Sequence, residues 1–421
     1  MALTTPDLQL LAVAESLTPP WILLEDGAGA GTRMLVWDAA ERLRIEWSDA
    51  AAGSLPAFAP EGAWFGAIAY DFGLPPHARR RTPMIEQPLV DLFRPRQRIV
   101  LRPDAPPTIV GADAERRWRD SRQSAIGNRQ SEEGSLQEEA PDSRFPIPDS
   151  RSLSLDQRAF ESAVKQALEY IRAGDIYQVN LSVAQQVVVR EAPWAIYQRL
   201  RAINPSPWMG YADFGDWQLI SGSPELLVTV GDGRALAQPI AGTRKKTGDA
   251  AHDAAMRAEL RTDRKEAAEH VMLVDLARND LGRVARYGTV RVTALGRTEE
   301  YSHVMHLVSD VEADLVPGTE PLALFRAMFP GGTITGTPKI RAMEIIAELE
   351  PVARGMYTGA LGWWENGAGQ WNILIRSAVV RGSAAVIQAG AGIVADSQPE
   401  REWKESLRKA AALRLAFELE S

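Results

Sequence analysis

The chain has no cysteine and only five histidines among its 421 residues. The missing thiol excludes disulfides, thiolate metal sites and cysteine nucleophiles, and with them a disulfide-stapled secreted scaffold. Long hydrophobic runs are also missing, because no stretch approaches the roughly 20 apolar residues that span a bilayer. The N-terminal "MALTTPDLQLLAVAESL" lacks the basic flank and long apolar run of a secretory signal, so a cytoplasmic chain without a membrane anchor is expected. Positive charge is not in excess either. A formal net charge of −8 argues against a broad nucleic-acid-binding face. The basic clusters "RKK" (244–246) and "HARRR" (77–81) read as solvated loops. Small molecules and other proteins remain as partners.

What is present is ordinary globular material, 45% hydrophobic and 24% charged, with 12 tryptophans. Residues 1–112 read as an N-terminal α/β subdomain. Residues 113–154 are polar, charged and proline-spiced, the composition of a connector that need not be ordered. Residues 155–421 form the main domain. In "LDQRAFESAVKQALEYIRAGD" the apolar Phe160, Val164, Ala167, Leu168 and Ile171 recur at helical spacing, with Gly174 as C-cap. "IYQVNLSVAQQVVV" alternates as a strand does. One long helix is expected over 252–279 and another over 339–349. "WNILIRSAVV" and "AAVIQAGAGIVA" read as adjacent strands, and a final helix over 399–418 has Ser397 as its candidate N-cap. Strands in runs point to an α+β fold.

Four glutamates form two pairs at three-residue spacing, Glu266 with Glu269 and Glu402 with Glu405. Each pair lies on one helix face, where most such pairs are solvated. Glu269 shares its face with Met272, Leu273 and Leu276, and a half-buried carboxylate needs a partner. Oxygen ligation without thiols suits Mg²⁺. "FPGGTITGTPKIRAMEII" leads from a Gly-Gly turn to Lys339 at a helix N-terminus, a place for an anion. Gly390 and Gly392 allow a ligand close to the backbone. Arg376, inside an apolar strand, is either paired structurally or held out for a carboxylate. His306 reads first as an ordinary core histidine. Together these describe a Mg²⁺ site beside anion-holding elements, hence a substrate with more than one carboxylate. "QPIAGTRKKTGD" (238–249) reads as a surface turn, with Ala241 at its centre.

Five blocks in order, "AGDIYQVNLS", "PIAGTR", "EHVMLVDLARNDLGRVA", "GGTITGTPKIRAMEIIAELEP" and "QAGAGIVADSQPEREWKE", resemble the chorismate-utilising enzymes. These include anthranilate synthase large subunits, aminodeoxychorismate synthase component I, and isochorismate and salicylate synthases. The resemblance covers residues 155 to 420 and is weaker before them. It implies two orthogonally packed antiparallel β-sheets flanked by helices. It implies Glu269 and Glu405 as direct Mg²⁺ ligands, with Glu266 and Glu402 holding metal-bound waters or substrate. Tyr357, Arg376, Gly390 and Gly392 would clamp the enolpyruvyl carboxylate, and Gly242 and Thr243 would line the ring. His306 and Thr333 would stand near the leaving hydroxyl and the eliminated pyruvate, which moves His306 from core residue to participant.

Gln178 occupies the position where water-adding members carry a lysine as general base, so ammonia is the implied nucleophile. This chain has no cysteine for a glutaminase, so a separate glutamine amidotransferase is the implied partner. Many aminodeoxychorismate synthases have lysine where Ala241 stands, and "PIAGT" resembles anthranilate synthases. Asn180 and Gly331–Gly332 resemble aminodeoxychorismate synthases, as does Asp26 in "WILLEDG", which replaces a serine of the tryptophan site; "NPSPWM" points the other way. The expectation is amination of chorismate to 4-amino-4-deoxychorismate, with Ala241 marking a noncovalent route through 2-amino-2-deoxyisochorismate. Anthranilate synthase is the alternative, and a non-catalytic chorismate- or tryptophan-sensing subunit is the alternative of another class.

Overall fold

The computed structural model describes residues 5–26, 31–47, 63–75, 78, 81–127, 153–300 and 304–419. Strand pairing is antiparallel throughout them. In a first layer Gln178–Val188 pairs with Ala384–Ile393, which is followed by Ser377–Arg381, Gln218–Ser223, Trp208–Asp213 and Trp21–Asp26. Trp21–Asp26 then pairs with Arg33–Ile45, and that strand with Val90–Arg102. Both of these strands are 13 residues long, and their register shifts between Ala39 and Glu41. A bulge there bends the sheet. Beyond the bend the second layer runs Trp64–Ile68, Ala360–Glu365, Ala368–Ile373, Leu226–Gly231, Arg234–Ala237 and Val304–Asp314.

The two layers share one core. Ile22, Ala212, Leu219 and Val379 of the first pack in the same cluster as Phe65, Leu361, Trp371 and Val228 of the second. At Gly210 an added Cβ would lie 2.6 Å from Leu361 Cδ2, so the glycine lets the layers approach. Each fully buried Val, Leu, Ile or Phe side chain among these contributes about 1.5–3 kcal/mol.

Two strand-to-strand passages cross from one layer to the other. Gln218–Ser223 belongs to the first layer and Leu226–Gly231 to the second, so the chain crosses at Pro224–Glu225. Ala368–Ile373 and Ser377–Arg381 make the return crossing at Leu374–Arg376. The crossings are tied together, since Ile373 N donates to Glu225 O at 3.0 Å and Gly222 N to Arg376 O at 3.0 Å. The single strand expected over "WNILIRSAVV" is therefore two strands, broken where Arg376 takes φ 50°. A change of layer requires a change of direction that a continuous strand cannot make.

The helix Gln157–Ala173 fits its sequence closely. Asp156 caps it by accepting from Ala159 N, and Gly174 ends it at φ 82°. Its apolar face packs on the back of Gln178–Val188, with the Phe160 and Trp403 rings 5.5 Å apart. The expected helix over 252–279 is instead Ala250–Thr262 followed by Arg264–Gly282. Asp263 ends the first and caps the second by accepting from Glu266 N at 3.1 Å, because an Asp side chain competes with the helical backbone. Lys339–Leu349 is a helix as expected. The last helix is Pro399–Ala416 with Gln398, not Ser397, at the N-cap position. Ser397 Oγ accepts from Val394 N instead.

Part of the expected connector is structured. Ala112–Gly127 is a helix, with Ala114 and Trp118 buried beside Leu10 and Trp21. Ala114 and Trp118 are four residues apart on its inner face, while Glu115, Arg116, Arg119 and Asp120 are exposed. Residues 128–152 lie outside the described residues. The segment before the connector joins the main domain through two strand pairings, Trp21–Asp26 with Trp208–Asp213 and Trp64–Ile68 with Ala360–Glu365.

Candidate active site

The layer crossings carry the first part of the site. Glu225 follows Pro224 and is buried at 7% exposure. Burial pushes its carboxyl up to about 7, although Thr333, Lys409 and Arg376 oppose the shift. Thr333 Oγ1 donates to Glu225 Oε1 at 2.5 Å. A carboxyl so placed can keep a proton at neutral pH and deliver it to a leaving group. Sequence reading missed Glu225; the only signal was a Pro-Glu step inside an otherwise apolar strand run. Arg376, on the facing crossing, is close enough to interact electrostatically with both Glu225 and His306.

The second part is built on Ile240–Lys245, which the sequence suggested was a turn. It is a strand paired with Val304–Asp314, with a register shift between Ala241 and Thr243. Gly242 makes the bulge at φ 65°, and a Cβ there would meet Leu260 Cδ1 at 2.7 Å and Glu266 Oε2 at 3.0 Å. Ala241 is buried, at 6% exposure. The bulge turns Gly242 and Thr243 toward His306, whose Nδ1 lies 3.2 Å from Gly242 O and 3.0 Å from Thr243 Oγ1. A carbonyl can only accept, so this contact assigns the proton to Nδ1 and leaves Nε2 as an acceptor. Burial pushes His306 down to about 4, with Arg376 adding to the fall. His306 is a neutral imidazole at pH 7.

The third part lies where Gln178–Val188 meets Ala384–Ile393. Gly392 stands opposite Asn180 and Gly390 opposite Ser182. Without side chains there, Gln178 and Asn180 close over the backbone: added Cβ atoms would lie 2.8 Å from Gln178 Nε2 and 2.9 Å from Asn180 Oδ1. Gln178 Nε2 donates to Glu269 Oε1 at 3.2 Å. Tyr357 is buried in the loop before Ala360–Glu365, and burial holds its hydroxyl well above the usual range.

Lys339, expected to hold substrate, is engaged by three partners within the chain. Its ammonium donates to Asp280 Oδ2 at 2.5 Å, Met328 O at 3.1 Å and Pro330 O at 2.7 Å. An ammonium has three protons, and all are used within the chain. Burial of so strong a charge demands such partners. A cleft lined by Glu225, Gln238, Leu273, Asp280, Gly332 and Thr333 adjoins this pin.

The four glutamates do not form a ready metal cage, since among the described residues no three acidic or histidine side chains are so gathered. Glu266 pairs with Arg244 at 3.2 Å and Glu405 with Lys409 at 2.8 Å. Glu402 is buried in the first turn of Pro399–Ala416. Their oxygen donors suit a hard cation in kind. Glu269 accepts from the Gln178 amide at 3.2 Å.

Comparisons with known proteins agree on one family. A family model described as "chorismate binding enzyme" matches residues 21–414. Aminodeoxychorismate synthase component 1 of Bacillus subtilis is 51% identical over 261 residues, 62% of this chain and 56% of that protein. Anthranilate synthase component 1 of Thermus thermophilus is also 51% identical, over 264 residues, 62% of this chain and 57% of that protein. The matched region thus spans about half the length of these curated relatives. The crystal structure of anthranilate synthase component I from Streptococcus pneumoniae superposes with a TM-score of 0.72 at 29% identity, covering 94% of this chain and 93% of that one.

Proposed function

The chain belongs to the chorismate binding enzyme family, and we propose that it aminates chorismate to 4-amino-4-deoxychorismate with ammonia from a separate glutamine amidotransferase. The observation that carries the amination chemistry is the buried Glu225, held by Thr333 Oγ1 at 2.5 Å, with Arg376 close enough to interact with both it and His306. Glu225 would protonate the C4 hydroxyl as it leaves. His306 Nε2 would accept a hydrogen bond or proton at the ring. Arg376 and the backbone at Gly390 and Gly392 would hold the enolpyruvyl carboxylate, with Tyr357 beside it. Gln178, a neutral amide, cannot deprotonate water, which leaves ammonia to attack.

Alanine at 241 offers no nucleophile for a covalent adduct, so the proposed route is noncovalent. Ammonia adds at C2 as the C4 hydroxyl leaves as water, giving 2-amino-2-deoxyisochorismate. A second ammonia adds at C4 and the C2 amine departs, so the net change is one ammonia in and one water out. Glu269 and Glu405 would hold Mg²⁺, with Glu266 and Glu402 holding its waters or substrate. When bound, the ion supplies charge to grip the ring carboxylate and a Lewis-acid pull on the hydroxyl.

Product choice rests on Asn180, on Asp26 and on Gly331. An alanine Cβ at 331 would stand 2.7 Å from Cδ1 at the end of the Ile373 side chain, which would have to shift to admit it. A second reading, anthranilate synthase, is supported by "PIAGT" and by relatives of equal identity. Incubation with chorismate, Mg²⁺ and excess ammonium, read by mass spectrometry, separates them. The C4-aminated product, with 2-amino-2-deoxyisochorismate preceding it, is expected. Anthranilate without a C4-aminated product would overturn the reading.

A further inference from the structure

We infer that Arg354 is a positioning residue of this site: one buried guanidinium, locked to Glu350, fixes the three segments that carry Gln178, Thr333 and Tyr357 against one another. The inference rests on the proposed reading of those residues as the place where chorismate binds.

Arg354 and Glu350 are both 3% exposed. Their pairing is forked, with Nε to Oε2 at 2.9 Å and Nη2 to Oε1 at 2.7 Å. The other donors leave this pair for the site segments. Nη2 donates to Asn180 O at 2.8 Å, two residues from Gln178. Nη1 donates to Ile334 O at 2.8 Å, next to Thr333, and to Thr358 Oγ1 at 3.3 Å, next to Tyr357. The guanidinium also lies over the Tyr357 ring at 5.6 Å and the Tyr70 ring at 4.8 Å. Glu350 reaches the same strand independently, accepting from Ser182 N at 2.9 Å and Ser182 Oγ at 2.8 Å.

These segments belong to different parts of the fold. Asn180 and Ser182 lie on the first-layer strand Gln178–Val188, Ile334 in the turn before Lys339–Leu349, and Tyr357 in the loop before Ala360–Glu365. No strand ladder joins all three. Only a planar fork with several donors can span them; a lysine has one nitrogen and cannot. Misplacing such groups by about an ångström is enough to cost on the order of 100-fold in rate.

The test compares Arg354→Lys and Glu350→Gln with a control, Arg42→Lys. Arg42 grips the fully buried Asp91 at 2.8 and 2.7 Å, on two strands that carry none of the site residues. For each variant the thermal midpoint, the calorimetric affinity for chorismate, and kcat and KM for chorismate consumption are measured. Arg354→Lys is expected to weaken chorismate binding at least ~10-fold and to lower kcat, and Arg42→Lys to lower the midpoint alone. Wild-type kcat and KM in Arg354→Lys, with only a lower midpoint, would overturn the inference. Should Arg354→Lys fail to fold, Glu350→Gln decides: it keeps the shape and the Ser182 contacts but loosens the guanidinium. A smaller loss of the same sign supports the inference, and unchanged constants overturn it. A wild-type chain that neither binds nor consumes chorismate would instead overturn the reading of the site itself.

Discussion

Thr333 Oγ1 donates to Glu225 Oε1 at 2.5 Å, joining a turn before one helix to a crossing between two sheet layers. The threonine occupies one carboxyl oxygen, so a proton on Glu225 resides on the other. Burial keeps that proton in place up to about pH 7.

Glu225→Gln should therefore lower kcat for chorismate consumption by roughly 10²–10⁴-fold, the range for loss of a general acid. Folding should survive, because the amide keeps the shape and accepts the Thr333 bond. The raised pKa also sets a stability trend. Between pH 4.5 and about 7 the folded chain binds this proton and the unfolded chain does not, so stability falls as pH rises through that window. Denaturant titrations should show wild type losing stability relative to Glu225→Gln from pH 4.5 to 7. Parallel curves would contradict the assignment.

His306 titrates in the opposite sense. Its folded pKa of about 4 lies below the usual 6.5, so its contribution is complete above pH 6.5 and is lost as pH falls toward 4. In ¹⁵N-labelled protein the His306 ring should keep the neutral, Nδ1-protonated pattern down to about pH 5. A midpoint near 6.5 would show that the imidazole is not buried as described.

Lys339→Met tests whether Lys339 holds substrate or only pins Asp280. It strands Asp280 without its cation, and breaking a buried pair costs about 3–5 kcal/mol. The double variant Lys339→Met, Asp280→Leu should recover much of that loss in chemical denaturation. KM for chorismate in the folded double variant should stay near wild type. A KM increase of 10-fold or more would return Lys339 to the substrate.

Gly242→Ala places a Cβ at φ 65° against Leu260 and Glu266. Left-handed backbone at a non-glycine costs about 1–2 kcal/mol, and the crowding adds to it. Thermal unfolding should show the loss, and the shifted bulge should disturb the His306 Nδ1 contact, visible in the same ¹⁵N spectrum. An unchanged spectrum would mean that the bulge does not orient the imidazole.

For magnesium, calorimetry on the chelator-treated chain should detect Mg²⁺ binding that Glu269→Gln and Glu405→Gln each weaken by about 10-fold or more. Chorismate consumption should stop with chelator and return with added Mg²⁺. Equal Mg²⁺ affinity in the wild type and both variants would move the ligands elsewhere.

Sequence alone determined what local chemistry can determine. Asp156 and Gly174 bound a helix because a capping carboxylate and a left-handed glycine do so wherever they occur. The alternation in Gln178–Val188 fixed a face carrying Gln178, Asn180 and Ser182, since strand side chains alternate with period two. The order of five motif blocks pointed to the family. Where a local signal was weak or was outweighed, the reading failed: Asp263 splits a long helix, and Arg376 breaks a strand. Tertiary structure alone decided what meets what. Lys339 faces inward because Asp280, 59 residues away in sequence, lies beneath it, and no spacing rule encodes that distance. Glu225 was illegible for the same reason. Its proton is held by burial between two layers, and burial at a crossing exists only once both strands have folded across it.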